Sequence, residues 1–144
     1  MPNDRSLSAI SHKLLKHSQI IESTLSELLS QGRPRRVLEV GFGQGRALME
    51  LAWRFRAKDV SFFGIDKTRQ PPVERSEDLL DVARHYGIIK HHERLTLPTL
   101  VFRDATELPY DDESMDLVYS AICIRFIERK AEFLEEVCRV LTPG

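Results

Sequence analysis

The sequence predicts an α/β domain in which a parallel sheet is covered by helices on both faces. Short apolar runs of strand length alternate along the chain with segments whose apolar residues recur every three or four positions, which is the spacing of amphipathic helices. Strands that alternate with helices pair in parallel through right-handed crossovers. The 144 residues, of which 42% are hydrophobic and 30% charged, have the composition of one globular domain.

The overall charge and the cysteines narrow the class of protein. The 21 Lys and Arg residues balance 22 Asp and Glu residues to give a formal charge of -1, so nothing indicates a nucleic-acid partner or an anionic membrane surface. The sequence has two cysteines, Cys123 and Cys138, which is too few for a disulfide scaffold or a four-thiolate zinc site. We expect both to be small core residues. The chain shows neither a membrane span nor a signal-peptide pattern, so we expect a cytoplasmic protein.

The first predicted element is an amphipathic helix. Within residues 6–30 the apolar positions recur mostly at spacings of three and four, and Gly32 and Pro34 end the pattern. We interpret residues 1–34 as a helical extension of a single domain that spans residues 1–144.

The extension has two possible roles. We expect it to pack on the domain, and the alternative is a lid over the site, formed together with the polar loop of residues 67–75. The basic side chains in and after this helix are expected to form a solvated face; they are Lys13, Lys16, Arg33, Arg35 and Arg36.

Four strands and three further helices follow. Each strand is a short apolar run bounded by turn residues, and the runs are Val37–Val40, Val60–Ile65, Thr99–Phe102 and Met115–Ile122. Each helix shows one apolar face, formed by Leu48, Leu51, Ala52 and Phe55, by Leu79, Val82, Ala83 and Tyr86, or by Leu134, Val137, Cys138 and Leu141. Ser76 is expected to cap the middle helix and Gly87 to end it.

A glycine-rich turn follows the first strand. Gly41, Gly43 and Gly45 alternate with other residues between this strand and the next helix. Glycines allow a sharp turn and the close approach of a ligand, and a helix start offers unpaired N–H groups to a negatively charged group. The alternative is a tight turn with no ligand.

Carboxylates follow the second and third strands. Asp66 lies about twenty residues beyond the glycine turn, where a carboxylate can accept hydrogen bonds from both ribose hydroxyls of an adenosine. Asp104 follows the third strand and could receive an adenine amino group. Ligands of such sheets bind beyond the carboxyl ends of the strands. Taken singly, either acid could instead be a loop or capping residue.

Several spaced segments carry a family resemblance. VLEVGFGQGRALMELA, FFGID, FRDATELPYDDESMDLVYS and FLEEVCRVLTPG together resemble class I S-adenosylmethionine-dependent methyltransferases, and most of all the branch with the ubiquinone- and menaquinone-biosynthesis enzymes. The resemblance covers Arg36 to Gly144. It implies a Rossmann-like fold, S-adenosylmethionine as cofactor, and methyl transfer to an acceptor that we expect to be a small molecule.

The resemblance also implies the cofactor site. Glu39, Gly41, Gly43 and Gly45 match the motif that holds the methionine portion, and Asp66 matches the acidic ribose ligand. Asp104 and Ala105 match the pair beside adenine. Ser120 lies where the family lines the methyl-donor pocket, with its backbone as the expected contact. No catalytic residue or metal site is implied.

The chain departs from the family at its end. The family's sheet normally continues through three more strands in the order 3-2-1-4-5-7-6, whereas this sequence stops at the turn of Pro143 and Gly144. We therefore expect about four strands in the order 3-2-1-4, with the fourth as an unpaired edge through which the chain could self-associate. The expectation is a fragment, or a chain completed by a partner, that holds the cofactor half.

Two other functions use the same features. An NAD-dependent dehydrogenase also has a glycine turn and a ribose-binding acid, but its fingerprint requires glycine where this chain has Arg46. A non-catalytic module that binds S-adenosylmethionine, or keeps only the fold, is the second alternative. We expect the histidines to lie on the surface rather than to act as bases; they are His12, His17, His85, His91 and His92.

Overall fold

The computed structural model describes residues 19–69, 73–90, 93, 95–120 and 123–143. Its sheet has four parallel strands, which are β1 (Arg35–Val40), β2 (Val60–Asp66), β3 (Thr99–Phe102) and β4 (Leu117–Tyr119). Their spatial order is β3-β2-β1-β4. Both the α/β class and the strand order 3-2-1-4 predicted from the sequence are confirmed.

The described residues form four α-helices and one short 3₁₀ helix, which lie between and around the strands. They are α1 (residues 19–30), α2 (Arg46–Arg54), α3 (Asp78–His85), the 3₁₀ helix Cys123–Phe126, and α4 (Lys130–Val140). None of the helices in the described ranges is long and apolar enough to cross a membrane.

Strand β1 is the centre of the core because it pairs with a strand on each side and alternates its side chains between two apolar clusters. Val37 packs in the cluster that includes Leu25 of α1, Leu48 of α2 and Leu79 of α3. Leu38 and Val40 lie in the other cluster, which includes Phe133 and Val140 of α4. Helices therefore cover both faces of the sheet, and this alternation follows from the two-residue repeat of a strand.

The fourth strand is shorter than predicted. The prediction was Met115–Ile122, but β4 is Leu117–Tyr119, and residues 121–122 lie outside the described residues. Met115 instead forms a parallel bridge with Leu141, in which the Met115 N–H donates to Val140 O at 2.7 Å and the Thr142 N–H donates to Met115 O at 2.8 Å. Because the neighbouring Asp116 N–H points to β1, this bridge lies on the outer side of β4. Self-association through that edge stays a prediction.

The buried face of α4 was predicted only in part, since Val137 of the predicted face does pack against the core. Leu134 is 57% exposed and Cys138 is also exposed, whereas Phe133 and Val140 are buried against the sheet. The helix is rotated by about one residue relative to the predicted face, because Leu141 leaves the helix to bridge Met115. Cys138 is therefore not a core residue, and the side chain of Cys123 lies outside the described part.

The ends of α3 were predicted half correctly. Ser76 does not cap the helix; its Oγ accepts the Leu100 N–H of β3 at 3.3 Å. The Asp78 carboxylate instead accepts the Glu74 and Arg75 N–H groups at 3.0 and 3.1 Å. The Gly87 stop is confirmed, since Gly87 has φ +70° and the Ile88 N–H donates to Ala83 O at 2.8 Å.

Arg35 was also predicted wrongly, because it is buried rather than solvated. Its guanidinium donates to Asp116 Oδ1 at 3.1 Å, to Leu28 O at 3.1 Å and to Gln31 Oε1 at 2.5 Å. These bonds join the end of α1 to the start of β1 and to Asp116, which precedes β4. The described part of the extension is thus a packing helix, as expected.

Candidate functional site

A cavity of about 580 Å³ opens at the carboxyl ends of β1, β2 and β3, which is within the size range of small-molecule sites. Residues 126–129, which run from the last residue of the 3₁₀ helix towards α4, close its remaining side. Six of the eight residues predicted to bind a cofactor line this one cavity: Glu39, Gly41, Gly43, Asp66, Asp104 and Ala105.

The glycine turn has the backbone that its sequence predicts. Gly41, Gly43 and Gly45 have φ values of +77°, +59° and +81°, a region that residues with a Cβ rarely adopt. The Gly41 N–H continues the ladder by donating to Ile65 O at 2.7 Å. The turn therefore brings the backbone to the cavity without side chains in the way.

Gly45 lies outside the cavity lining and has a packing role. It precedes α2, and a Cβ built on it would lie 2.4 Å from Leu79 Cδ2 of α3. This close approach holds α2 and α3 together beneath the turn. The glycine requirement at this position therefore comes from helix packing as well as from φ.

Ser120 is the second predicted residue outside the lining. It follows β4 directly, and its Oγ is buried with no hydrogen-bond partner among the described residues. Buried hydroxyls are nearly always hydrogen-bonded, so this unsatisfied group at the carboxyl end of β4 is a candidate ligand contact.

Asp66 links the end of β2 to the glycine turn. Its Oδ2 accepts the Gly43 N–H at 3.0 Å, and its Oδ1 accepts the Thr68 N–H at 3.1 Å. Each carboxylate oxygen can accept a second hydrogen bond. The side chain is therefore held in place with acceptor capacity left for two ligand hydroxyls.

Asp104 is fixed by the residues that follow it. Its Oδ1 accepts the Thr106 N–H at 3.0 Å and the Thr106 hydroxyl at 2.8 Å, while Lys67 Nζ lies 3.6 Å from Oδ2. The hydrogen bonds from Thr106, aided by the Lys67 charge, hold the pKa of Asp104 below its ordinary value. Asp104 is consequently an ionised acceptor at neutral pH.

Glu39 is the most unusual group of the site. It lines the cavity, yet it is only 2% exposed. Tyr119 of β4 donates its hydroxyl to Glu39 Oε2 at 3.1 Å. Burial raises the pKa of Glu39 to about 8; the negative charge of Asp66 acts in the same direction, and the Tyr119 hydrogen bond opposes it.

Sequence reasoning missed several members of the site. Tyr119 is one of them: it is buried in the core, and its hydroxyl reaches Glu39. The parallel register that pairs Glu39 with Tyr119 is the signal that could have found it. The wall of residues 126–129 was also missed, including Phe126, which is 70% exposed.

No histidine among the described residues lines this cavity. His85 lies exposed on α3 with its ring against Tyr86, and the other four histidines are outside the described residues. Within the described ranges, no group of three or more His, Cys, Asp or Glu residues is placed to hold a metal ion.

Known proteins are similar to this chain both in sequence and in fold. The sequence profile of a family described as "Methyltransferase domain" matches residues 38–144. The chain belongs to the methyltransferase domain family.

Two curated members of the methyltransferase domain family illustrate the relationship. A demethylmenaquinone methyltransferase from Deinococcus radiodurans is 37% identical over 111 residues, which cover 77% of this chain and 40% of the relative. A malonyl-[acyl-carrier protein] O-methyltransferase from Halorhodospira halophila is 31% identical over 110 residues, covering 76% of this chain and 32% of the relative. The chain thus spans less than half the length of these relatives.

The fold of the family is confirmed by solved structures. The crystal structure of a SAM-dependent methyltransferase from Aquifex aeolicus superposes with a TM-score of 0.57 at 20% identity. The match covers 83% of this chain and 58% of the Aquifex chain.

Proposed function

We propose that this chain binds S-adenosylmethionine in the 580 Å³ cavity and forms the cofactor half of an enzyme that methylates a small molecule. One observation carries the proposal: six of the eight positions that match the family's cofactor motifs come from three different strand ends and line a single cavity. Membership of the methyltransferase domain family supports the same cofactor and reaction.

The residues present fit this cofactor. The glycine turn leaves space for close backbone approach, as its three positive φ values indicate. Asp66 retains unused acceptor capacity for ribose hydroxyls, and the buried Ser120 Oγ lacks a partner in the described part of the chain. The carboxyl groups of Glu39, Asp66 and Asp104 suit a ligand that carries positive charge.

Each proposed role follows from the position of a residue. Glu39 and the glycine turn would hold the methionine portion, and Asp66 would accept the ribose hydroxyls. Asp104 and Ala105, on the far side of Asp66 from β1, would hold the adenine. Ser120 would contribute at the methyl-donor end through its backbone, with its Oγ as an additional contact.

The proposed chemistry depends on placement. The bound cofactor supplies a sulfonium methyl group that an acceptor atom can attack in line. The chain binds and orients the two reactants and excludes water from the cavity, and good orientation alone corresponds to an effective molarity of roughly 10⁵–10⁸ M. We assign no general base, so no proton transfer by a side chain is part of this proposal.

The acceptor is proposed only as a class. One relative is named for demethylmenaquinone and another for a malonyl group on an acyl carrier protein, and these acceptors share no headgroup. The exposed Phe126 and the charged Glu128 and Arg129 form the cavity wall that would meet the acceptor.

Equilibrium dialysis with tritiated S-adenosylmethionine tests cofactor binding. We expect saturable binding that S-adenosylhomocysteine displaces and NAD does not. Displacement by NAD alone would favour a dehydrogenase.

A second assay separates an enzyme from a binding module. Demethylmenaquinol and a malonyl thioester are offered with the cofactor, and formation of S-adenosylhomocysteine is measured. Methylation of either acceptor supports an enzyme, whereas binding without methylation of any small-molecule acceptor tested supports a non-catalytic module.

A further inference from the structure

We propose that Glu39 and Tyr119 form a proton-releasing receptor for the positively charged part of the ligand. In the free chain the Glu39 carboxyl holds a proton; when the cation binds, this proton leaves to solvent and the carboxylate pairs with the cation. Tyr119 is a positioning residue that holds the carboxyl in place. This inference rests on the proposed function, because the cation is a group of S-adenosylmethionine.

The geometry of the pair supports this role. Glu39 lies in the central strand, and the register of β1 and β4 places it opposite Tyr119. The Tyr119 hydroxyl donates to Glu39 Oε2 at 3.1 Å, and both side chains are buried. Since Glu39 also lines the cavity, its carboxyl is shielded from bulk water but accessible to a bound ligand.

The charges around Glu39 favour a bound proton. Asp66 approaches from β2 with negative charge, and Tyr119 from β4 is neutral at ordinary pH because burial raises its pKa well above the usual value. On α2, Arg46 and Glu50 pair with each other at 3.4 Å.

Two of the remaining charged groups of the cavity wall pair with acidic side chains. Lys67 pairs with Asp104 at 3.6 Å, and Arg129 pairs with Glu132. Arg103 and Glu128 complete the charged residues of the lining. Among the described residues, none supplies a positive charge that acts on Glu39, since the influences on its pKa are burial, Tyr119 and Asp66.

Binding of a cation would reverse this balance. An opposite charge within hydrogen-bond distance favours the ionised carboxyl, so the ligand and the proton compete for the same group. One proton passes from Glu39 to the buffer, and no covalent bond to the ligand forms. With a Glu39 pKa of about 8, most free molecules carry this proton at pH 7.

The first test counts protons by calorimetry at pH 7, in two buffers that differ in ionisation enthalpy. The ligands are S-adenosylmethionine and the uncharged 5′-methylthioadenosine, and the proteins are the wild type and Glu39→Gln. We expect the wild type to release close to one proton more than Glu39→Gln on binding S-adenosylmethionine. With 5′-methylthioadenosine the two proteins should not differ.

The second test separates positioning by Tyr119 from a structural role. The lost hydrogen bond raises the Glu39 pKa further, so Tyr119→Phe should bind S-adenosylmethionine several-fold more weakly than the wild type at pH 7. At pH 9.5 the affinity should recover. In the wild type we expect affinity to rise about tenfold from pH 6 to pH 7, where the α-ammonium of the ligand keeps its charge, relative to the same ratio for Glu39→Gln.

A third measurement needs no ligand. Carbon NMR of the side-chain carboxyls, with Glu39→Gln to assign the resonance, should show Glu39 titrating near pH 8 in the free chain, and at higher pH in Tyr119→Phe. A midpoint below pH 5 overturns the inference even if Glu39→Gln binds too weakly for calorimetry.

Failure of the inference and failure of the proposed function give different results. Binding of S-adenosylmethionine with equal proton release in the wild type and Glu39→Gln overturns the inference alone. No binding at any pH overturns the proposed function and the release step with it.

Discussion

The Asp66 carboxylate accepts a hydrogen bond from the Gly43 N–H at 3.0 Å, which fastens the end of β2 to the glycine turn after β1. A second N–H, from Thr68, holds the other oxygen. One carboxylate therefore shapes the turn and still presents free lone pairs to the cavity. This single side chain therefore positions the ends of β1 and β2, which would hold the cofactor.

Replacing Asp66 should weaken cofactor binding. We expect Asp66→Ala to bind S-adenosylhomocysteine about 10–100-fold more weakly, because charge-assisted hydrogen bonds contribute roughly 1.5–3 kcal/mol. Equilibrium dialysis of the folded variant measures this, with the exposed Glu77→Gln as the matched loss of a carboxylate. Equal affinities of Asp66→Ala and the wild type would show that Asp66 serves the turn only.

Gly45 and Gly32 form a matched pair for the packing argument. Both have positive φ, at +81° and +73°, but a Cβ at Gly45 would meet Leu79 at 2.4 Å while nothing lies within 4 Å at Gly32. Gly32→Ala should cost about 1–2 kcal/mol for the backbone alone, and Gly45→Ala about 2–4 kcal/mol once overpacking is added. Urea denaturation measures the free energy of unfolding of both variants. Equal losses would show that the contact between α2 and α3 at Gly45 adds no packing constraint.

The Glu39 carboxyl should make folding stability fall as pH rises. Its pKa of about 8 in the folded chain exceeds the ordinary value of 4.5, so between these values the folded state holds a proton that the unfolded chain has lost. Each pH unit in this window then removes up to about 1.4 kcal/mol from the free energy of unfolding. Above pH 8 the loss is complete.

Glu39→Gln removes that titration and provides the comparison. From pH 6 to pH 9 the variant should gain about 2 kcal/mol in free energy of unfolding relative to the wild type. Urea denaturation at the two pH values measures the difference. Parallel pH profiles for both proteins would mean that Glu39 titrates alike in the folded and unfolded chains.

Arg35 should stabilise the packing of α1 on the sheet. Arg35→Met breaks a buried ion pair with Asp116 and two hydrogen bonds to α1 and its following turn, and such losses cost about 3–5 kcal/mol. Arg33 lies two positions before Arg35 and is exposed. Arg33→Met should therefore change stability by less than about 0.5 kcal/mol. Thermal unfolding of both variants decides, and similar melting temperatures would contradict the role given to Arg35.

Much of the site could be predicted because it depends on strand ends. Buried parallel strands are short apolar runs, so Val37–Val40 and Val60–Ile65 predict where the chain leaves the sheet. Because the carboxyl ends of these strands meet at one edge of the sheet, Asp66 and Asp104 could be assigned to one site from the sequence alone. The glycine turn could also be predicted, since glycines allow the backbone to turn sharply.

What sequence reasoning missed depends on contacts between distant segments. Glu39 meets Tyr119 only through the register of β1 and β4. Arg35 is buried because Asp116, eighty-one positions away, reaches it. The rotation of α4, which exposes Leu134 and Cys138, follows from the Met115–Leu141 bridge beyond the helix. Local spacing carries none of this information.

The central claim is that the cavity binds S-adenosylmethionine and its product. Isothermal calorimetry of the wild-type chain with S-adenosylhomocysteine, and with NAD as the control ligand, tests it most directly because no acceptor is needed. We expect one micromolar site for S-adenosylhomocysteine and none for NAD. A folded chain that gives no heat with S-adenosylhomocysteine, or that binds NAD in its place, would contradict it.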